Sequence, residues 1–128
     1  MATNKFLENL RGAKEVNEVP VPNDDDSIES PAGDGRDSRH QVLAVQLVQA
    51  SRNARAVLYG SITSTIDYDP SKGISWVFES EDGQERVLIT GRLLDRLYDR
   101  LCSGKREVAR VNGDTITAIT FEKVVQDG

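Results

Sequence analysis

The side chains that could serve as nucleophile, base or metal ligand are few and scattered. The sequence holds one histidine, His40, and one cysteine, Cys102. Acid–base catalysis needs a group fixed within hydrogen-bond reach of its proton. His40 falls where an acidic segment meets the more apolar part of the chain, a poor place to fix anything. Tyr59-Gly60-Ser61 offers a hydroxyl beside a glycine but not the G-x-S-x-G pattern of a nucleophile elbow. Cys102 is expected in the core near a leucine stripe, because free cysteine is among the most buried residue types. Its basic neighbours Arg100, Lys105 and Arg106 would favour thiol reactivity if it were exposed. Asp67-Tyr68-Asp69 places two carboxylates where a divalent cation could sit, yet such ions want about six or more oxygens and no third acid follows closely. A strand end followed by a proline turn accounts for both aspartates. Gly33-Asp34-Gly35 is not a phosphate loop, and neither G-x-x-x-x-G-K-S/T nor G-x-G-x-x-G occurs. The expectation is a protein that is not an enzyme, with no cofactor and no metal.

The most suggestive surface is basic. Arg92, Arg96 and Arg100 recur every fourth residue and would form one ridge on a helix, continued by Lys105 and Arg106. Arginines so spaced could meet successive phosphates. Pairs such as Arg92–Asp95 and Arg96–Asp99 would equally make a solvated helix face. No stacking aromatics interleave the bases, as single-strand binders require.

Charge divides the chain. It has 128 residues and a net charge of −5. Residues 1–38 carry nine acids against four bases, while 39–128 carry twelve of each, so the whole excess lies in the first part. That part also holds Pro20, Pro22 and Pro31, three of the four prolines. Little apolar surface is available there to offset about 1–2 kcal/mol per residue of backbone ordering. Residues 1–38 are therefore expected to form a disordered acidic tail, and 39–128 an α+β domain. Within the tail, Thr3 could cap a short helix at 3–12 with Phe6, Leu7 and Leu10 on one face. Those three residues would be either a tethered docking motif or a frayed end.

In the domain, Asp82-Gly83 lies between two β-rich runs and predicts a hairpin over 74–89. Pairing about that turn sets Phe78 opposite Val87 and Trp76 opposite Ile89, with Val77 and Leu88 on the other face. Ala56–Asp67 reads as a long β segment with Leu58, Ile62 and Ile66 on one side. Thr90-Gly91 is expected to open a helix, about 91–103, that Gly104 closes and whose stripe is Leu93, Leu94, Leu97, Tyr98 and Leu101. Asn112-Gly113 predicts a second two-residue hairpin, with Ala109 opposite Ile116. Residues 41–54 are ambiguous. Ser38 to Gln41 matches a helix capping box, while Leu43, Val45 and Leu47 alternate as in a strand. The fold class expected is α+β, an antiparallel sheet of about five to six strands with one amphipathic helix on one face.

These features suggest a non-catalytic protein-interaction module, a small regulator or adaptor with a tethered docking segment. The alternative is a nucleic-acid-binding protein using Arg92, Arg96, Arg100, Lys105 and Arg106. Another protein is the expected partner, and an uncovered Val77–Leu88 face would favour a homodimer or a partner. No membrane partner is expected, since no apolar run approaches the roughly 20 residues of a spanning helix. A lone cysteine points to a cytoplasmic setting.

Overall fold

The computed structural model describes residues 27–125. They are mostly β with one helix, in two sheets of five and four strands. The strands are β1 (Ser27–Glu29), β2 (Gly35–Ser38), β3 (Ala44–Val48), β4 (Ala54–Leu58), β5 (Asp67–Asp69), β6 (Gly73–Ser80), β7 (Gly83–Gly91), β8 (Arg106–Arg110) and β9 (Ile116–Lys123). The helix, α1, is Asp95–Cys102. The first sheet runs β1-β2-β8-β3-β4 and the second β5-β6-β7-β9. All neighbours are antiparallel except β3 and β8. Inward residues of both sheets (Val45, Leu47, Val57 and Ala109 from one, Ile74, Trp76, Val87 and Ile89 from the other) share one core with Leu97 and Leu101 of α1 and with Leu94 just before it.

Two sheets replace the expected single one, and the cause lies in three segments. Within residues 41–54 the chain forms β3 and turns into β4, the two paired from Ala44–Leu58 to Val48–Ala54. Ser38 Oγ accepts the N–H of His40 at 3.1 Å in a local bend, so the capping box starts no helix. The long β segment over 56–67 is broken by a 3-10 turn at Tyr59–Ser61, where the chain leaves the first sheet before β5 begins the second. Asn112-Gly113 does not make a hairpin. It passes the chain from β8 in one sheet to β9 in the other, so Ala109 never faces Ile116. Asn112 Oδ1 accepts the N–H groups of Asp114 and Ile116 at 2.9 and 3.0 Å, which gives the turn its own stability without strand pairing on either side.

The boundary after Ser38 also moves. β1 and β2 form a hairpin that joins the first sheet through β8, so residues 27–38 belong to the folded body.

The hairpin of β6 and β7 forms as expected but two residues out of register, with Trp76 opposite Val87 and Phe78 opposite Glu85. A slip of two preserves the faces where a slip of one would invert them. Trp76, Phe78, Val87 and Ile89 are accordingly buried, while Val77 and Leu88 are half-buried on the outer side. Gly83 takes the positive φ, 110°, and Glu81 and Asp82 do not. The central residues Glu81 and Asp82 therefore do not form the turn that needs positive φ at both of them.

The helix is shorter than 91–103. Thr90 and Gly91 still belong to β7, where a Cβ on Gly91 would collide with the Thr115 carbonyl. Leu93 has φ of 55° and is 71% exposed, outside the buried stripe. Gly104 does close α1, with φ of 72°. Lys105 N–H reaches Arg100 O and Gly104 N–H reaches Leu101 O, at 2.9 and 3.1 Å, the paired bonds of a glycine-terminated helix. No helix among the described residues is long and apolar enough to cross a membrane.

Candidate interaction surface

The densest charge cluster centres on the buried Arg106, Asp34 and Asp37, with Arg96 and Arg100 at its edge and Arg100 Nε left without a hydrogen-bond partner. Arg106, 1% exposed, donates from Nη2 to Asp34 Oδ1 at 2.6 Å and to Asp34 O at 2.8 Å. Its Nη1 reaches Asp37 Oδ1 at 3.1 Å, and its Nε reaches Val108 O at 2.6 Å. Arg96 donates to Asp37 Oδ2 at 2.7 Å, with Arg100 Nε 3.9 Å from the same oxygen. Thr115 Oγ1 donates to Asp34 Oδ2 at 2.8 Å. Burial would raise the Asp34 carboxyl, but hydrogen bonds from Arg106, Ser30 and Thr115 and the Arg106 charge outweigh it and hold the group below the ordinary carboxylate range. Both aspartates are already matched by arginine, which suits a structural tie better than a general base.

This cluster redistributes the expected arginine ridge. Arg106 lies in the interior, out of reach of a phosphate in solvent. Arg92 precedes α1 and binds Asp114 Oδ1 at 2.6 Å rather than Asp95. Arg96 and Arg100 remain one turn apart on α1, 48% and 31% exposed, both turned towards Asp37 rather than Asp99. Lys105 is half-buried in the turn after the helix.

A second charged pair joins the two sheets. Arg55 on β4 points inward beside Val57 and meets Glu85 on β7 through two parallel bonds of 2.9 and 3.1 Å. Its guanidinium lies 4.4 Å from the Phe121 ring centre and 5.6 Å from that of Phe78, and those rings meet edge to face. Hydrogen bonds from Arg55 and Ser80, with the Arg55 charge, overcome burial and lower the Glu85 carboxyl to about 2. The pair forms the floor of a groove of about 430 Å³ between β4 and the β6–β7 turn. Ala56, Leu58 and Ser61 line one wall, and Glu79, Glu81 and Asp82 the other.

The remaining sequence candidates lie apart. His40 is exposed in the bend after β2. Ser61 donates its hydroxyl to Leu58 O at 2.7 Å within the 3-10 turn. Tyr59 donates to Arg106 O at 2.8 Å, and burial pushes its phenol well above the usual value. Asp67 accepts from Thr65 at 2.9 Å, and Asp69 from Ser71 at 2.9 and 2.8 Å. Among the described residues no three histidine, cysteine, aspartate or glutamate side chains gather as a metal would require. Cys102 is exposed, not a core filler, because the buried stripe is Leu94, Leu97 and Leu101 and the next position turns outward. Phe6, Leu7 and Leu10 lie outside the described residues.

The structure thus defines a two-sheet β body with a single helix and a groove beside an open strand edge. Comparison with protein-family models, with curated proteins and with solved structures gave no match. The groove, Arg55 and Glu85 were not anticipated from sequence. The available signal was Arg55 itself, which alternation places on the same side as Val57, where a charge demands a partner.

Proposed function

We propose that this chain is a non-catalytic protein-interaction module, a small regulator or adaptor whose first sheet receives a partner. The observation that carries the reading is β4, a five-residue edge strand bearing Ala54, Ala56 and Leu58 outward with no neighbour on its far side among the described residues. Such an edge is a template for pairing. The exposed Leu43 and Leu58, 84% and 56% accessible, add apolar contact at the same side of the sheet. The segment of Phe6, Leu7 and Leu10 is proposed as a second, tethered contact. Contact with nucleic acid through Arg96, Arg100 and Lys105 is the weaker alternative, since both helix arginines already face Asp37.

Selection of the full chain against a library of random peptides about 12 residues long tests the reading. Enrichment of a motif whose free peptide competes for binding supports it. No enrichment, together with salt-sensitive binding of labelled DNA or RNA lost in Arg96→Glu plus Arg100→Glu, overturns it in favour of the alternative.

A further inference from the structure

We propose that the groove between β4 and β6 docks an extended, basic segment of a partner protein, which pairs with β4 as an added strand. The proposal rests on the interaction-module reading and gives it a surface and a partner chemistry.

The four sheet edges are not equivalent. β1 and β5 have three residues each. β9 is capped over its first half, where Ile116 O accepts from Asn112 and Gly113 and Ile119 O accepts from the Gln49 side chain, and its open half carries the cation Lys123. β4, with five residues, is longer than β1 and β5, and its bonding phase is readable. Gln49 N–H reaches Asn53 O and Tyr59 N–H reaches Leu43 O, each at 2.9 Å. Antiparallel alternation then assigns Arg55 and Val57 to β3 and turns the backbone groups of Ala54, Ala56 and Leu58 outward. Leu58 O is taken by Ser61. Across the groove, Val77 exchanges bonds with Thr63 and Ser64 and Phe78 bridges Ile62, so the facing edge of β6 is already covered by residues 62–64 and the open edge of the gap is that of β4.

An inward charge such as Arg55 is a common protection against edge pairing. Here Glu85 already matches it, so covering it with a strand would leave no unpaired charge.

The rim decides which strand fits. Glu79, Glu81 and Asp82 are exposed around the groove, and among the described residues Asp82 alone of the three has an ion pair, with Lys123 at 3.7 Å. Lysine or arginine on alternate positions of an incoming strand would meet these acids, while an acidic strand would be repelled. A second copy of the chain would bring two acidic rims together at a net charge of −5 each. The complementary occupant is a basic segment of a different protein.

The test is titration of the isotope-labelled full chain with a five-residue peptide of alternating lysine and valine, followed by amide signals and by fluorescence anisotropy. Movement of the signals of residues 55–58 and 79–82 is expected, with affinity falling about tenfold between about 50 and 300 mM salt. A glutamate–valine peptide should bind at least about tenfold more weakly, as should the lysine peptide to Glu79→Lys plus Glu81→Lys. Ala56→Pro removes only an outward N–H and should also cost about tenfold. If that variant fails to fold, methylation of alternate peptide nitrogens tests the same pairing on the unaltered chain. Unchanged affinity under these blocks overturns strand addition, as does equal binding of the acidic peptide or absence of any shift. Shifts confined to the surface around Leu43 overturn the groove but leave the interaction-module reading standing, and the library selection judges that reading independently.

Discussion

Arg106 and Asp37 meet at 3.1 Å across 69 positions of sequence, each almost wholly removed from water. The contact anchors β2 to β8, and Arg106 extends it to Asp34. Replacing Arg106 by methionine would leave the buried Asp34 without an arginine and Asp37 with only the partly exposed Arg96 and Arg100, and should cost about 3–5 kcal/mol. Adding Asp34→Asn and Asp37→Asn should recover part of that loss. Urea denaturation of the single and triple variants measures both effects; equal stability of Arg106→Met and the parent would refute the anchoring role.

Two truncations separate tail from body. A chain beginning at Ser27 keeps every described strand and should unfold within about 0.5 kcal/mol of the parent. A chain beginning at Arg39 loses β1, β2 and both partners of Arg106, and should lose its cooperative unfolding transition. Circular dichroism melts distinguish them, and a cooperative melt of the shorter chain would contradict the placement of 27–38 in the sheet.

Acid should loosen the cross-sheet tie. The Glu85 carboxyl is depressed from 4.5 to about 2, so the unfolded chain takes up this proton first as pH falls. The stability it contributes is therefore whole above pH 4.5 and is lost progressively towards pH 2. Asp34, also depressed, acts in the same direction. Glu85→Gln should cost about 2 kcal/mol at neutral pH and flatten the fall in stability between pH 7 and 3. An unchanged slope in that variant would remove Glu85 as a source of the pH dependence.

Gly35 has φ of 142°, and a side chain there would run into the Val108 carbonyl and the Arg106 guanidinium. Gly35→Ala should destabilise by about 3 kcal/mol, near the upper end of overpacking effects. Gly33→Ala, with open space around it but φ of 77°, should cost less. Matching denaturation midpoints for the two would argue against the close approach of β2 to β8.

Local signals were legible where the contact they specify is local. The β6–β7 hairpin, its inward face and the glycine that ends α1 could be read from alternation and turn chemistry. Distant partners could not. Asp34 and Asp37 resemble the solvated acids around them, and partners far along the chain, Arg106 above all with Arg96 and Thr115, make them interior residues. Asn112-Gly113 has the composition of a hairpin turn, yet which sheet receives β9 depends on the free edge that β7 presents. The groove escaped for the same reason, since an open edge is defined by strands that do not arrive.

The central position of β8 has a consequence for synthesis. It pairs with β2 on one side and runs parallel to β3 on the other, so the first sheet stays in two pieces until residues 106–110 leave the ribosome. During that interval β2 and β3 each expose a border that β8 will later occupy. The growing polypeptide thus passes through a stage prone to self-association, and its late strand acts as a keystone that ends this vulnerability.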